Sequence, residues 1–307
     1  DAIISTEHDW ARYPDATPGR EALAAMHGVP TDMVLPTAGA AEAFPLVSAL
    51  EPCHAVVVHP QFTEPEAALR VAGINVARHI LKASDGFALD PALVPDNADL
   101  VIVGNPTNPT GRLHPATDLL ALRRPGRILV IDEAFMDATD ESQSLIGCDM
   151  DGLLVLRSLT KTYGLAGIRA GYVIGDRRLI ARLADHQTPW SVSTPAIAAM
   201  IACTCEEARR FQTKLCDDIP AARADLVERL TVLGLSVVTS EAPFVLVDTS
   251  SLSGKSIRQP LAKRGFAVRR GETFPGLGPT WIRLAVRDSN IHAELARALS
   301  DLTAHRN

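Results

Sequence analysis

Three side chains between Leu156 and Gly175, in LRSLTKTYGLAGIRAGYVIG, have types and spacing that can do chemistry together: Ser158, Lys161 and Arg169. A lysine amine in water has a pKa of about 10.4, so it is protonated and a poor nucleophile. Beside another cation, or partly desolvated, it loses its proton and can form a Schiff base with an aldehyde. Ser158, a short donor, and Arg169, a two-pronged one, suit the phosphate of such an aldehyde. The stretch therefore reads as an anion site presenting one nucleophilic amine. The plainer alternative is a surface lysine in a glycine-rich turn.

Positioning these groups requires a shaped loop between strands. Leu153 to Leu156 is an apolar run that reads as a buried strand, and Tyr172-Val173-Ile174 resumes one. Between them Gly164, Gly167 and Gly171 would each cost a helix about 1 kcal/mol against alanine. Three earlier apolar runs end in the same manner. Ala55–Val58 leads into His59-Pro60-Gln61-Phe62, and Leu100–Val103 into Asn105-Pro106-Thr107-Asn108-Pro109-Thr110-Gly111. Ile128–Ile131 leads into Asp132-Glu133-Ala134-Phe135. Four strand-like segments thus end in polar or aromatic candidates, with helical stretches between. This alternation predicts a mostly parallel sheet with helices on both faces, an αβα sandwich of the α/β class. Ligands of such sheets lie beyond the carboxyl ends of the strands. Upstream, Arg20–His27 reads as a short helix and Met33-Val34-Leu35 as strand-like. A further helix is predicted from Ala40 to Leu50, and the backbone N–H groups of Gly39, Ala40 and Ala41 at its head make a ready anion site.

Beyond the lysine loop the pattern changes. Arg177–His186 reads as helix, residues 188–195 as a loop with Trp190, and Ala196–Leu233 as largely helical, broken at Pro220. Short strands follow at Ser236–Val238, Phe244–Asp248, Phe266–Arg270 and Trp281–Val286, with a helix over Ser256–Lys263. The reading divides the chain into an N-terminal segment 1–19, a large domain 20–208 and a smaller α/β domain 209–307, a usual size. Two arginines stand out in the last part. Arg283 shares the face of Trp281 and Ala285 on its strand, and Arg269 lies in GFAVRRGETFPG; a guanidinium can grip a carboxylate or phosphate with two N–H groups.

With 307 residues and 47% hydrophobic content, the chain can bury a substantial core. A net charge of −6 points away from nucleic acid, and no apolar run approaches the roughly 18 residues of a membrane span. Five cysteines without CxxC spacing, and scattered histidines, predict reduced thiols, no metal and a cytoplasmic protein. SGKS at 253–256 lacks the leading glycine of a phosphate-binding P-loop, since Thr249 stands in its place.

Serine three residues before Lys161, and Arg169 eight after it in GLAGIR, is similar to the lysine segment of pyridoxal-phosphate (PLP) enzymes with the aspartate-aminotransferase fold. The resemblance runs from Tyr13 to Val286. It implies that Lys161 holds PLP covalently and shuttles protons, that Asp132 faces the pyridine nitrogen, and that Asn108 donates to the ring oxygen and borders the substrate. It also implies that Phe62 lies on the ring, where an ordinary core cap is the alternative. Ser158, Arg169 and the Gly39-Ala40-Ala41 turn would take the phosphate. Phe135 replaces the family's usual tyrosine and cannot donate. Tyr13, in a Tyr-Pro step, either anchors its loop or reaches the cofactor phosphate of a partner subunit, which would make the protein a homodimer. The resemblance also implies a further N-terminal arm with an Asn-Pro motif, expected to be missing or shortened here, or removed from a chain that starts at Asp1 without methionine. Arg283 corresponds to the carboxylate-binding arginine and Arg269 to a second anion-binding one.

DEAFMD, RSLTKTYGLAG and VRRGETFPGLGPTWIRLAVR resemble most the branch containing threonine-phosphate decarboxylase of cobalamin synthesis and histidinol-phosphate aminotransferase. The expected substrate is therefore a small phosphorylated amino compound. Decarboxylation of L-threonine O-3-phosphate is placed first, on the arginine segment. Histidinol-phosphate transamination is placed second, and a PLP-binding protein with little turnover third.

Overall fold

The computed structural model describes residues 1–304. After a short 3-10 turn at Ile4–Asp9, helix α1 (Thr17–His27) leads to strand β1 (Val34–Thr37) and helix α2 (Ala40–Ser48). Then follow β2 (Ala55–His59), α3 (Glu64–Val71), β3 (Val76–Ile80), β4 (Leu100–Gly104), α4 (Ala116–Leu120) and β5 (Ile128–Asp132). Strands β6 (Leu153–Ser158) and β7 (Gly171–Gly175) flank the lysine loop, followed by helices α5 (Arg177–His186), α6 (Thr194–Cys203) and α7 (Glu206–Val232). The last part comprises β8 (Ser236–Val237), β9 (Phe244–Asp248), α8 (Arg258–Ala262), β10 (Arg269–Arg270), β11 (Trp281–Ala285) and α9 (Ser289–Ala304).

Seven strands form one sheet in the order β1-β7-β6-β5-β4-β2-β3. The pairs from β3 through β6 are parallel, and β7 runs antiparallel to both β6 and β1. Both faces are apolar, because alternate residues of each strand enter different cores. Val56, Val101, Leu129, Leu153 and Ile174 pack with α1 and α6 on one face. Val57, Leu100, Val130, Leu154 and Val173 pack with α2 and α5 on the other. This accounts for near-continuous apolar strands rather than half-polar ones. A second sheet, β10-β11-β9-β8, is antiparallel, and its core is shared with α7, α8 and α9.

Several boundaries differ from the sequence reading. The helical stretch breaks at Thr204-Cys205 instead of Pro220, and α7 continues through that proline. A proline inside a helix costs about 3 kcal/mol, but Ile219, Leu226 and Leu230 bury the face of α7 on both sides of it. Helix α1 begins at Thr17, with Pro18 in its first turn, where the missing N–H is harmless. The expected strand at Phe266–Arg270 contracts to Arg269–Arg270, the two residues that register with β11. The helix expected over Ser256–Lys263 contracts to α8. Helices α3 and α4 occupy the intervening stretches expected to be helical, whereas edge strand β3, whose side chains are largely exposed, and helix α9 carry weaker signals and have no counterpart in the sequence reading.

A buried charge cluster ties the central strands together just behind the site. The side chain of Arg157 on β6 is 4% exposed and donates to Glu133 (2.9 Å), Glu141 (2.7 Å) and Ser144 (3.0 Å). Burial works against its charge, but Glu133 and Glu141 outweigh that and raise its pKa. Burial likewise pushes the Glu133 carboxyl up, opposed by Arg157. Removing one partner of such a pair costs about 3–5 kcal/mol because a charge is left buried. Glu133→Ala is therefore expected to lower the urea unfolding midpoint by a corresponding amount; an unchanged midpoint would remove this cluster from the stability of the sheet.

Candidate active site

The carboxyl ends of β2, β4, β5 and β6 open on one pocket of about 120 Å³, whose lining includes Ala40, Ala41, Phe62, Asn108, Asp132, Ser158, Lys161 and Arg169. Parallel pairing is what gathers them. Gly104 registers with Asp132, and Asp132 with Leu156, so consecutive strands release their chains side by side. On β6 the next residues reach Ser158 and then the turn with Lys161.

The anion-facing side is built by close backbone approach. Gly39 caps α2 at φ 77° and ψ 162°, a region essentially confined to glycine. A Cβ there would stand 2.7 Å from Arg169 Nη2. Gly171, at the start of β7, passes so near this turn that a Cβ would meet the Ala40 nitrogen at 2.6 Å. The first N–H groups of a helix have no partner within it, and Ala40 and Ala41, the first residues of α2, line the same pocket as Arg169. Ser158 and Thr160 share a hydroxyl hydrogen bond of 2.7 Å on this side.

Asp132 is buried, and among the described residues its carboxylate accepts from the Ala134 N–H alone, at 3.1 Å. Burial pushes it up to about 6, against the lowering effect of the Ala134 bond and of Lys161. Lys161 moves the other way. Partial desolvation depresses its pKa, the Arg283 and Arg169 charges add to this, and Asp132 opposes it. Its ammonium lies 5.7 Å from the centre of the Phe135 ring. These shifts favour a neutral amine at a lower pH than free lysine allows.

At the pocket edge Arg283, on β11, donates through Nη1 to Asn108 Oδ1 and lies 4.8 Å over the Phe244 ring. Burial, and then the neighbouring Arg269, lower its pKa to about 10. Holding the Asn108 oxygen in this way leaves its amide N–H groups to donate into the pocket. The turn that carries Asn108 is closed by Gly111 N–H to Thr107 O (2.7 Å) and Thr107 N–H to Arg112 O (2.9 Å).

Four sequence candidates are not in the lining of this pocket: Arg283 stands at its edge, the Gly39 N–H turns away to donate to Thr37 O at 2.8 Å because the backbone folds tightly there, and Tyr13 and Arg269 lie apart from it. Tyr13 is 77% exposed and stacks on Trp190 at 4.3 Å. Arg269 registers opposite Arg283 but is exposed, 5.3 Å over Phe274. Conversely, the sequence reading missed Gln61, Thr160 and Phe44 in the lining. Gln61 is buried and donates to Ile102 O at 3.2 Å, and Phe44 backs Phe62 at 6.1 Å between ring centres. Thr160, between Ser158 and Lys161, had a signal in its position; Gln61 and Phe44 had none apart from the fold. Among the described residues no cluster of metal-ligating side chains occurs, and no helix is long and apolar enough to cross a membrane.

The donor set fits PLP. A buried carboxylate that forms no ion pair among the described residues suits a protonated ring nitrogen, and the α2 turn, Ser158 and Arg169 suit a phosphate. Comparison with known proteins agrees. The model of the family described as aminotransferase class I and II matches residues 2–300. A histidinol-phosphate aminotransferase of Mycobacterium tuberculosis is 47% identical over 281 residues, 90% of this chain and 76% of that protein. Threonine-phosphate decarboxylase of Pseudomonas aeruginosa is 35% identical over 300 residues, 91% of this chain and 84% of that protein. Among solved structures, histidinol-phosphate aminotransferase of Sinorhizobium meliloti in complex with PLP superposes with a TM-score of 0.86. It covers 100% of this chain and 86% of that one at 21% identity, a likeness of fold. The fold is aspartate-aminotransferase-like.

Two measurements check this geometry. Gly39→Ala is expected to weaken PLP binding about tenfold or more, since about 1.4 kcal/mol suffices for that and the added Cβ both strains the turn and displaces Arg169; wild-type affinity by absorbance titration would contradict it. Arg283→Met removes a positive charge that depresses Lys161, so the amine should lose its proton only at higher pH. The rate of PLP capture by the cofactor-free protein, followed against pH, should show its rising limb displaced upward; an unmoved limb would separate Arg283 from Lys161.

Proposed function

We propose a reaction for this protein from one premise: the chain belongs to the class I and II aminotransferase family. Its cofactor is PLP. The proposed activity is transamination of a small phosphorylated amino compound of the histidinol-phosphate type. The observation that carries the assignment is a depressed lysine amine facing a buried carboxylate, with Arg283 and Asn108 joined at the rim. The choice of substrate rests on the relative of higher identity. Decarboxylation of L-threonine O-3-phosphate, placed first on the arginine segment alone, becomes the second reading, supported by the likeness to the Pseudomonas enzyme.

PLP, when bound, supplies an aldehyde for the amines and a ring that withdraws electrons from the substrate Cα. The remaining work belongs to side chains. Lys161 would hold the cofactor and, once released from it by the substrate amine, carry a proton at Cα. Asp132 would keep a proton on the ring nitrogen. Asn108 would donate to the ring oxygen, alone among side chains there because Phe135 has no hydroxyl. Ser158, Arg169 and the N–H groups of Ala40 and Ala41 would bind the cofactor phosphate, with Gly39 allowing Arg169 to approach and Phe62 against the ring. Arg283, and Arg269 from its exposed position, would hold the anionic groups of the substrate and so decide which Cα bond stands perpendicular to the ring. Residues 20–208 would form the PLP-binding domain and 209–307 the smaller one. Tyr13 would serve the site of a second copy in a homodimer.

The test supplies histidinol phosphate with 2-oxoglutarate, and separately L-threonine O-3-phosphate, to the holoenzyme. Glutamate formation is expected from the first; release of CO₂ and aminopropanol phosphate from the second, with no glutamate from the first, would overturn transamination. Lys161→Ala should lower turnover by about 10²–10⁴-fold. Borohydride treatment and digestion should place a pyridoxyl adduct on the peptide bearing Lys161, and an adduct elsewhere would overturn the assignment of that lysine.

A further inference from the structure

A second cavity, of about 460 Å³, opens where the two sheets meet, lined in part by Ser84, Arg112, Val238, Thr239, Asp248 and Trp281. It shares no lining residue with the pocket at Lys161. Its volume falls within the roughly 300–1,000 Å³ of small-molecule sites.

The charges on its wall are mismatched in an informative way. Among the described residues the Arg112 guanidinium makes no ion pair or hydrogen bond, and its Nε is buried without a partner. A buried Nε without a partner is costly, and a carboxylate entering the cavity would satisfy it, with a second, parallel bond from an Nη of the same guanidinium. Asp248 lines the same cavity, and among the described residues its carboxylate accepts from the Ser250 N–H (3.0 Å) and hydroxyl (2.9 Å) and forms no ion pair. Opposite charges thus face one space without reaching each other. Trp281 completes the wall, held edge-on by Phe87 at 5.9 Å, with Val238 beside it.

We propose that this cavity binds an α-amino acid with an aromatic side chain, its carboxylate on Arg112, its ammonium on Asp248 and its ring against Trp281. The site is wired to the reaction centre by covalent neighbours. Arg112 closes the turn that presents Asn108, through its carbonyl to the Thr107 N–H at 2.9 Å. Trp281 lies two residues before Arg283 on β11. A ligand gripping both therefore steadies the hydrogen bond between Arg283 and Asn108, the contact that joins the two sheets at the pocket rim. A bound amino acid acts here as a regulator of that contact, and this holds whichever reaction Lys161 carries.

The test is calorimetric titration of L-phenylalanine into holoenzyme previously reduced with borohydride, in which the ligand amine cannot exchange with the lysine linkage. Saturable binding is expected, at least about tenfold weaker in Arg112→Met and in Asp248→Asn, since each loses a charge-assisted pair of more than about 1.4 kcal/mol. Glycine, which has the head group alone, should bind at least about tenfold more weakly than L-phenylalanine. In the wild type L-phenylalanine should raise the thermal midpoint, and the rise should be smaller in Arg283→Met. No saturable heat, equal affinity in both charge variants, or glycine binding as tightly would each overturn the proposal. An equal rise in Arg283→Met would overturn its link to the pocket. Because these readouts are heats and midpoints, their failure is distinct from failure of the substrate assays or of the adduct on Lys161.

Discussion

Strand direction is the constraint on which the site depends. Parallel neighbours about 4.8 Å apart must all release their chains at the same edge, so whatever follows β2, β4, β5 and β6 is crowded into one volume. A ring-stacking candidate, an amide, a carboxylate and an amine come from segments far apart in the chain and need no long-range code to find each other. The apolar strands supply the direction, and the short polar turns after them supply the chemistry. Antiparallel β7 adds one refinement: it carries the chain from the lysine loop back beneath the head of α2, where Gly171 permits a contact that any side chain would block.

The same crowding sets the charges. Burial raises Asp132 and depresses Lys161, so the carboxyl and the amine are each moved toward neutral pH from opposite sides. Arg283 and Arg169 push the amine further, whereas Asp132 restrains it. One layer behind, Arg157 is surrounded by Glu133 and Glu141 and stays charged. Adjacent residues in sequence, Asp132 and Glu133, thereby take opposite parts, one toward the pocket and one toward a buried counter-ion.

The second sheet meets the turn that carries Asn108 through two hydrogen bonds. Arg283 reaches Asn108 across the junction, and the Glu241 N–H donates to Gly111 O at 2.9 Å on the same turn. Asn108 is thus held from both sheets, and its orientation depends on how they sit together. The cavity lined by Arg112, Asp248 and Trp281 lies at this same junction. The junction is apolar as well as polar: Leu246 of β9 is buried in the core on one face of the first sheet and Trp281 of β11 meets Phe87, so the bond between Arg283 and Asn108 sits beside packed side chains.

By itself the sequence determined the elements whose signals are local. Period and length revealed β2, β4, β5 and β6, and α5 was placed at its observed ends, because apolar runs and amphipathic spacing reflect burial within a few residues. The lysine loop and the Asn-Pro turns were legible because glycine and proline restrict the backbone on the spot. What only the tertiary structure decided involves partners remote in sequence. The bond between Arg283 and Asn108 spans 175 positions, Gln61 enters the pocket by bonding Ile102 on a neighbouring strand, and Tyr13 stacks on Trp190 outside the pocket. Pro220 shows the same division: its local preference is to end a helix, and burial on both sides of it overrode that preference, since packing energy belongs to the assembled fold and not to any window of residues.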